Sequence, residues 1–288
     1  MSGRTDSVTP RMLREWRLPE PGSSKYERGR IVVVGGSVHS PGAAQLCGLA
    51  AMRVGAGRLT LGVADAAAVG LAVVTPEAGV YGLATSDSGS VRGTDLSVLA
   101  SELEKADAVV VGPGLDDPEA TEHLLRGLLP MLGDRTLLVV DAFALGSLPQ
   151  LGTELEPLAG RLVLTPNDSE AELLLGRPLD DVTEDSASLA QRFHGVVACH
   201  DVIADPDHGS WRIETGHSGL ATSGSGDVLS GIIGGLLARG ATPSQAACWG
   251  KYVHASAGER LAARVGRLGF LAREILPELP AVLTELDA

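Results

Sequence analysis

Aromatic residues are scarce in this 288-residue chain, where Phe, Tyr and Trp together reach 3%, so its core cannot rest on ring contacts. The apolar fraction of 44% comes from Ala, Val and Leu interspersed with 37 Gly, a composition that implies close backbone packing. Cysteine is scarce too. Cys47, Cys199 and Cys248 are odd in number, far apart and without paired metal spacing, which argues against a disulfide framework or a zinc site and suits buried thiols in a reducing compartment. Positive charge is short: 23 Lys+Arg stand against 36 Asp+Glu, for a formal net charge of -13. Nucleic acid or an anionic membrane is repelled by such a field, and no local basic patch offsets it. An anionic substrate would have to be held by local backbone dipoles. No window of about 18 residues is both apolar and uncharged, and the opening stretch MSGRTDSVTPRMLREW lacks the apolar segment of a secretory signal. A cytoplasmic protein is expected, with neither membrane nor nucleic acid among its partners.

With 20% charged residues the composition is that of a globular protein. At about 150 residues per domain the length allows two domains, although one α/β domain can fill it. Residues 1–29 are polar and carry Pro19, Pro21 and Gly22-Ser23-Ser24, which reads as an N-terminal arm. Residues 30–288 read as a single domain. Short β-branched or apolar runs at 31–34, 109–111, 137–140 and 162–164 each end in a Gly, Pro or Asp cluster, as expected of strands covered on both faces of a parallel sheet. Helical periodicity is clearest over 226–238, through Val228, Leu229, Ile232, Ile233, Leu236 and Leu237. This alternation predicts a three-layer helix-sheet-helix α/β sandwich with a mostly parallel sheet, whose ligands collect beyond the carboxyl ends of the strands.

The most informative segment runs from Gly219 to Gly231, through Thr222-Ser223-Gly224-Ser225-Gly226-Asp227. A small flexible loop enters an amphipathic helix, whose free amides can hold a phosphate. Asp227, in the first turn, can accept a proton from an attacking hydroxyl. It can equally be a plain helix cap. Together with the rest of the chain, this segment resembles the C-terminal signature of the ribokinase-like superfamily, and more closely the NAD(P)H-hydrate dehydratases, which repair hydrated nicotinamide cofactors with ADP or ATP. The resemblance extends over residues 30 to about 265. Gly35-Gly36-Ser37, Pro41-Gly42-Ala43-Ala44 and Arg53-Val54-Gly55-Ala56-Gly57 resemble the family's first strand-loop-helix, and Val111-Gly112-Pro113-Gly114-Leu115 its second glycine loop. Thr75-Pro76-Glu77 and Thr165-Pro166-Asn167-Asp168-Ser169-Glu170 match as well.

The resemblance implies a base at Asp227 and substrate contacts at Ala43, Gly114, Asn167 and Asp227. It implies nucleotide phosphates at Gly224, Ser225, Gly226, His200 and Asp201, with Glu170 near magnesium. ADP or ATP and magnesium are the implied cofactors, and a homo-oligomer, dimer or tetramer, is the implied assembly. Three positions depart from the family. Asn167 stands where a histidine is usual, and it cannot titrate near neutrality. Phe143 replaces a second aspartate. The segment from Val196 to Asp205 lacks the usual Lys-Gly pair, and no lysine occurs between Lys105 and Lys251; His200 can take over part of that role or be a solvated surface residue. Losing one preorganised donor costs roughly 10²- to 10³-fold in rate. The ordered matches and the intact Gly226-Asp227 pair nevertheless make dehydration of NAD(P)H hydrate the leading expectation. A kinase for another small alcohol or vitamin precursor, and a non-catalytic nucleotide-binding relative, are the alternatives.

Overall fold

The computed structural model describes residues 5–287. Its ten strands are β1 (Thr5–Val8), β2 (Arg30–Val34), β3 (Arg58–Ala64), β4 (Ala78–Leu83), β5 (Ala108–Val111), β6 (Leu137–Val140), β7 (Leu162–Leu164), β8 (Val196–Cys199), β9 (Val202–Asp205) and β10 (Gly209–Ile213). They form one sheet in the order β1-β10-β9-β8-β7-β6-β5-β2-β3-β4. From β8 to β4 every pairing is parallel, whereas β9 runs antiparallel to both neighbours. The predicted runs are thus strands, and their continuous apolar character reflects burial on two faces. Along β2, Ile31 and Val33 enter one core while Val32 and Val34 enter the other, as the two-residue period of a strand requires.

The first core is closed by the helices Pro41–Arg53, Ser225–Ala238 and Pro243–Arg264, the second by Pro118–Leu128, Asp168–Leu175 and Val182–Phe193. Three layers result. Scarce aromatics are offset by close helix contact: a Cβ at Gly231 would lie 2.1 Å from the Cys47 carbonyl oxygen, so the helix Ser225–Ala238 lies directly on the backbone of Pro41–Arg53. The sheet order changes direction between β2 and β5, since β3 and β4 extend to one side and β6 to β8 to the other. Loops leaving these two strands open a crevice at such a switch point.

The N-terminal segment differs from its sequence reading. Residues read as an arm before the core supply β1, which extends the sheet beside β10, and the helix Pro10–Glu15, whose Leu13 is wholly buried. Trp16 completes the attachment, its carbonyl accepting from Trp249 Nε1 at 2.9 Å and its ring lying 5.8 Å from that of Trp211. Three of the four β1 residues are exposed, so an edge strand of this kind carries no apolar signature. Trp249 and its helix pack internally, and no helix among the described residues is long and apolar enough to cross a membrane.

Gly231→Val is expected to destabilise the fold by about 2 to 3 kcal/mol through overpacking, lowering the melting temperature by roughly 5 °C or more. A melting temperature within 1 °C of the parent would contradict the close helix approach.

Candidate active site

At the switch point the loops after β2 and β5 are locked together by main-chain bonds. Gly36 N donates to Pro113 O and Ser37 N to Gly114 O, each at 2.8 Å. Ala43, in the first turn of Pro41–Arg53, adjoins Gly114: a Cβ on that glycine would lie 3.0 Å from the Ala43 methyl. The structure therefore brings together two residues far apart in sequence. From the same helix, Gln45 Nε2 donates to the buried Thr75 hydroxyl at 2.8 Å, which ties the Thr75-Pro76-Glu77 segment to this wall.

The helix Ser225–Ala238 starts beside Pro41–Arg53: a Cβ at Gly224 would lie 2.7 Å from Leu46 Cδ1. Its N-cap is Gly224 at φ 89°, and no side chain caps it. An unblocked first turn leaves main-chain amides for an anion. Asp227 sits inside the helix, at its third residue, so the cap role open to it in the sequence falls to Gly224. Ser225 is buried, with its hydroxyl 3.0 Å from His254 Nε2.

Asp227 is half-buried, and its carboxyl is pushed up to about 7 by burial, then by the nearby charges of Asp141 and Glu170. Asp141, at the end of β6, is buried and raised by desolvation, against hydrogen bonds from Thr165 and Ser230 that favour its charged form. The Thr165 hydroxyl donates at 2.6 Å. Glu170 is raised by burial, with Asp141 adding to the shift. Three elements thus converge their carboxyls: the end of β6 and the starts of Asp168–Leu175 and Ser225–Ala238. Such crowding holds one carboxyl near neutrality, where it can act as a base.

The other sequence-selected residues lie around this centre. Asn167 is exposed and caps Asp168–Leu175 reciprocally: Glu170 N donates to Asn167 Oδ1 at 3.0 Å and Asn167 N to Glu170 Oε2 at 2.9 Å. His200, at φ 53° in the turn between β8 and β9, sets its exposed imidazole 2.9 Å from Asp168 Oδ1. Asp201 faces Arg212 at 3.3 Å. Phe143 is exposed on the short helix Ala142–Ser147 after β6. Sequence reasoning missed two participants. Asp141 was legible as a carboxylate ending an apolar strand, whereas Lys251 had no local signal, because only the fold returns its helix to the turn after β8. A surface cavity of about 410 Å³, lined by Trp16, Trp211, Asp205 and Ser244 among others, lies at the opposite ends of the strands and includes none of these residues.

Helices on both faces of a mostly parallel sheet, with a carboxyl in the first turn of a helix at the strands' carboxyl ends, define a ribokinase-like protein. A ribokinase-like superfamily protein of Enterococcus faecalis has this fold, with a TM-score of 0.84 at 24% identity over 98% of this chain and 96% of that one. Residues 31–281 match the family described as NAD(P)H-hydrate dehydratase. The ADP-dependent (S)-NAD(P)H-hydrate dehydratase of Xanthomonas campestris is 41% identical across 98% of each chain. The ADP/ATP-dependent NAD(P)H-hydrate dehydratase of Bacillus subtilis, solved from crystals grown with ATP and Mg2+, has a TM-score of 0.79 at 26% identity, covering 98% of this chain and 99% of its own. This chain belongs to the NAD(P)H-hydrate dehydratase family, as its motifs implied. It spans 51% of the bifunctional NAD(P)H-hydrate repair enzyme of Escherichia coli, to which it is 35% identical.

Because the Asp227 carboxyl is raised from about 4 to about 7, the folded state holds the proton more tightly than the unfolded chain. Stability from this group is present at low pH and is lost as pH rises through 7. Asp227→Asn is expected to be roughly 1 to 3 kcal/mol more stable than the parent at pH 8, after allowance for solvent screening. The difference should vanish near pH 4, and equal urea midpoints at pH 8 would contradict a buried charge at this position.

Proposed function

We infer that this protein returns hydrated NADH and NADPH to the reduced cofactors, using phosphoryl transfer from ADP or ATP to expel the hydroxyl. The observation that carries this reading is Asp227, a carboxyl held near neutrality in the first turn of an uncapped helix. Membership of the dehydratase family supports it.

In the reaction Asp227 takes the proton of the ring hydroxyl, and the freed oxygen bonds to the terminal phosphorus. The bond from that phosphorus to its bridging oxygen breaks, releasing the shortened nucleotide. The ring carbon–oxygen bond then breaks with its electron pair leaving on phosphate. A proton lost from the adjacent ring carbon completes the double bond. Positioning and charge stabilisation supply most of the catalysis in such transfers. The amides of Gly224 and Gly226 face the transferred group, beside Ser225, whose own amide donates to Thr222 O at 3.1 Å, while Ala43 and Gly114 form the wall for the nicotinamide.

The departures from the family pattern fit this reading. Asn167 keeps its helix start intact through reciprocal capping, so the substitution removes a titratable ring without disordering the loop. Magnesium is a hard cation that keeps one or two carboxylates beside substrate phosphates. Half-buried Glu170, next to Asp141, has the chemistry for one such contact. When bound, the ion would neutralise charge on the phosphates.

The direct test incubates purified protein with hydrated NADH, magnesium and either ADP or ATP, following the return of reduced-nicotinamide absorbance. Asp227→Asn should turn over at least about 10²-fold more slowly, as for loss of a general base. Unchanged turnover would remove Asp227 from the mechanism. A stable phosphorylated product without recovered absorbance would indicate a kinase instead.

The base must be ionised, so kcat/KM should rise with pH and reach half its maximum near pH 7. Asp141→Asn removes a like charge beside Asp227 and should move this limb to lower pH. A limb that stayed in place would show that Asp141 does not tune the base.

A further inference from the structure

The turn between β8 and β9 contains no lysine, and its two side chains are engaged elsewhere, His200 with Asp168 and Asp201 with Arg212. The chain has lysines only at 25, 105 and 251. Lys251 projects from the middle of Pro243–Arg264 to this turn, where its Nζ donates to the His200 carbonyl. One helical turn further on, His254 reaches Ser225 at the start of Ser225–Ala238. Lys251 and His254 lie three residues apart, so they share a helix face directed at the turn and at the helix start together.

The ammonium is desolvated, yet no carboxylate among the described residues stands within ion-pair distance; its hydrogen bond goes to a neutral carbonyl. Burial lowers its pKa to about 8, while Cys199, Asp201 and Asp141 favour its charge. In turn the ammonium lowers the pKa of His254 on the same helix and favours the charged forms of Cys199 and Asp141. A half-buried cation whose neighbouring carboxylates lie beyond ion-pair distance is costly unless an anion completes it. In a chain of net charge -13, this one meets the turn, and His254 on the same helix face meets Ser225 at the uncapped helix start.

We propose that Lys251 is the cation of the nucleotide-phosphate site, supplying from a distant helix the charge that the β8–β9 turn lacks, and that its ammonium binds the terminal phosphate of ADP or ATP. This rests on the nucleotide-dependent reading above and assigns a binding residue to it. The phosphate would take the ammonium's remaining protons, while the His200 carbonyl keeps the side chain oriented.

Calorimetry with ADP and AMP on the full chain tests the proposal. Lys251→Met, with folding checked by thermal melting, should weaken ADP binding about 10- to 100-fold, the range for one charge-assisted phosphate contact, and leave AMP binding nearly unchanged. Lys251→Arg should restore part of the difference. At pH 8 the parent should take up a fraction of a proton per ADP bound, read from buffers of different ionisation heat, and Lys251→Met should not. If that variant does not fold, amine labelling of the parent substitutes for it: ADP, and not AMP, should protect Lys251 from trinitrobenzenesulfonate. A folded Lys251→Met protein with parental ADP affinity and proton uptake, or labelling that ADP leaves unchanged, would overturn the proposal alone. A parent that binds neither ADP nor ATP would overturn the nucleotide reading as well.

Discussion

Burial of the Asp141, Glu170 and Asp227 carboxyls beside one another at the carboxyl ends of the strands is the constraint around which the site is arranged. Each carboxyl is raised chiefly by burial, and each shift includes its neighbours or is relieved by particular donors. Thr165 and Ser230 favour the ionised form of Asp141, while Glu170 is taken into a reciprocal cap with Asn167. Asp227 has no comparable donor, so the strain of the cluster falls on it. A carboxyl at about 7 is a poor structural element and a good base, which is the trade between stability and activity expected of a functional site.

Holding these groups close requires rigid supports, and they come from main chain rather than from large side chains. The glycine loops after β2 and β5 bond to one another, and Ser225–Ala238 rests on Pro41–Arg53 through the contact of Gly231 with the Cys47 carbonyl. With aromatics at 3%, small residues let backbones approach until their positions are fixed by packing density. The helix start that carries Asp227 and the glycine-loop wall beside Ala43 are therefore joined through one helix pair.

The global charge opposes the ligand this site is built to take. A net charge of -13 repels an anionic nucleotide at long range, but that field is screened within about 10 Å at ordinary ionic strength. At contact distance the local groups are the uncapped start of Ser225–Ala238 and the desolvated ammonium of Lys251. Lys251 reaches the turn after β8 from a distant helix, since electrostatics depends on distance in space and not on the element of origin.

The sequence by itself determined the layered sheet, the strands at 137–140 and 162–164, the helix after Gly224 and the place of Asp227 in its first turn. These features are local: apolar runs, glycine loops and helical periodicity act over a few residues and leave a readable pattern. Tertiary structure alone decided the rest. β1 is a polar edge strand whose partner is about 200 residues away, so nothing in its own composition separates it from an arm. The raised pKa of Asp227 depends on burial and on Asp141 and Glu170, which arrive from other elements. Lys251 meets the turn after β8 only because Pro243–Arg264 packs across the sheet. Long-range pairing, burial and charge proximity are properties of the folded chain, and each arises where segments distant in sequence come within a few ångströms.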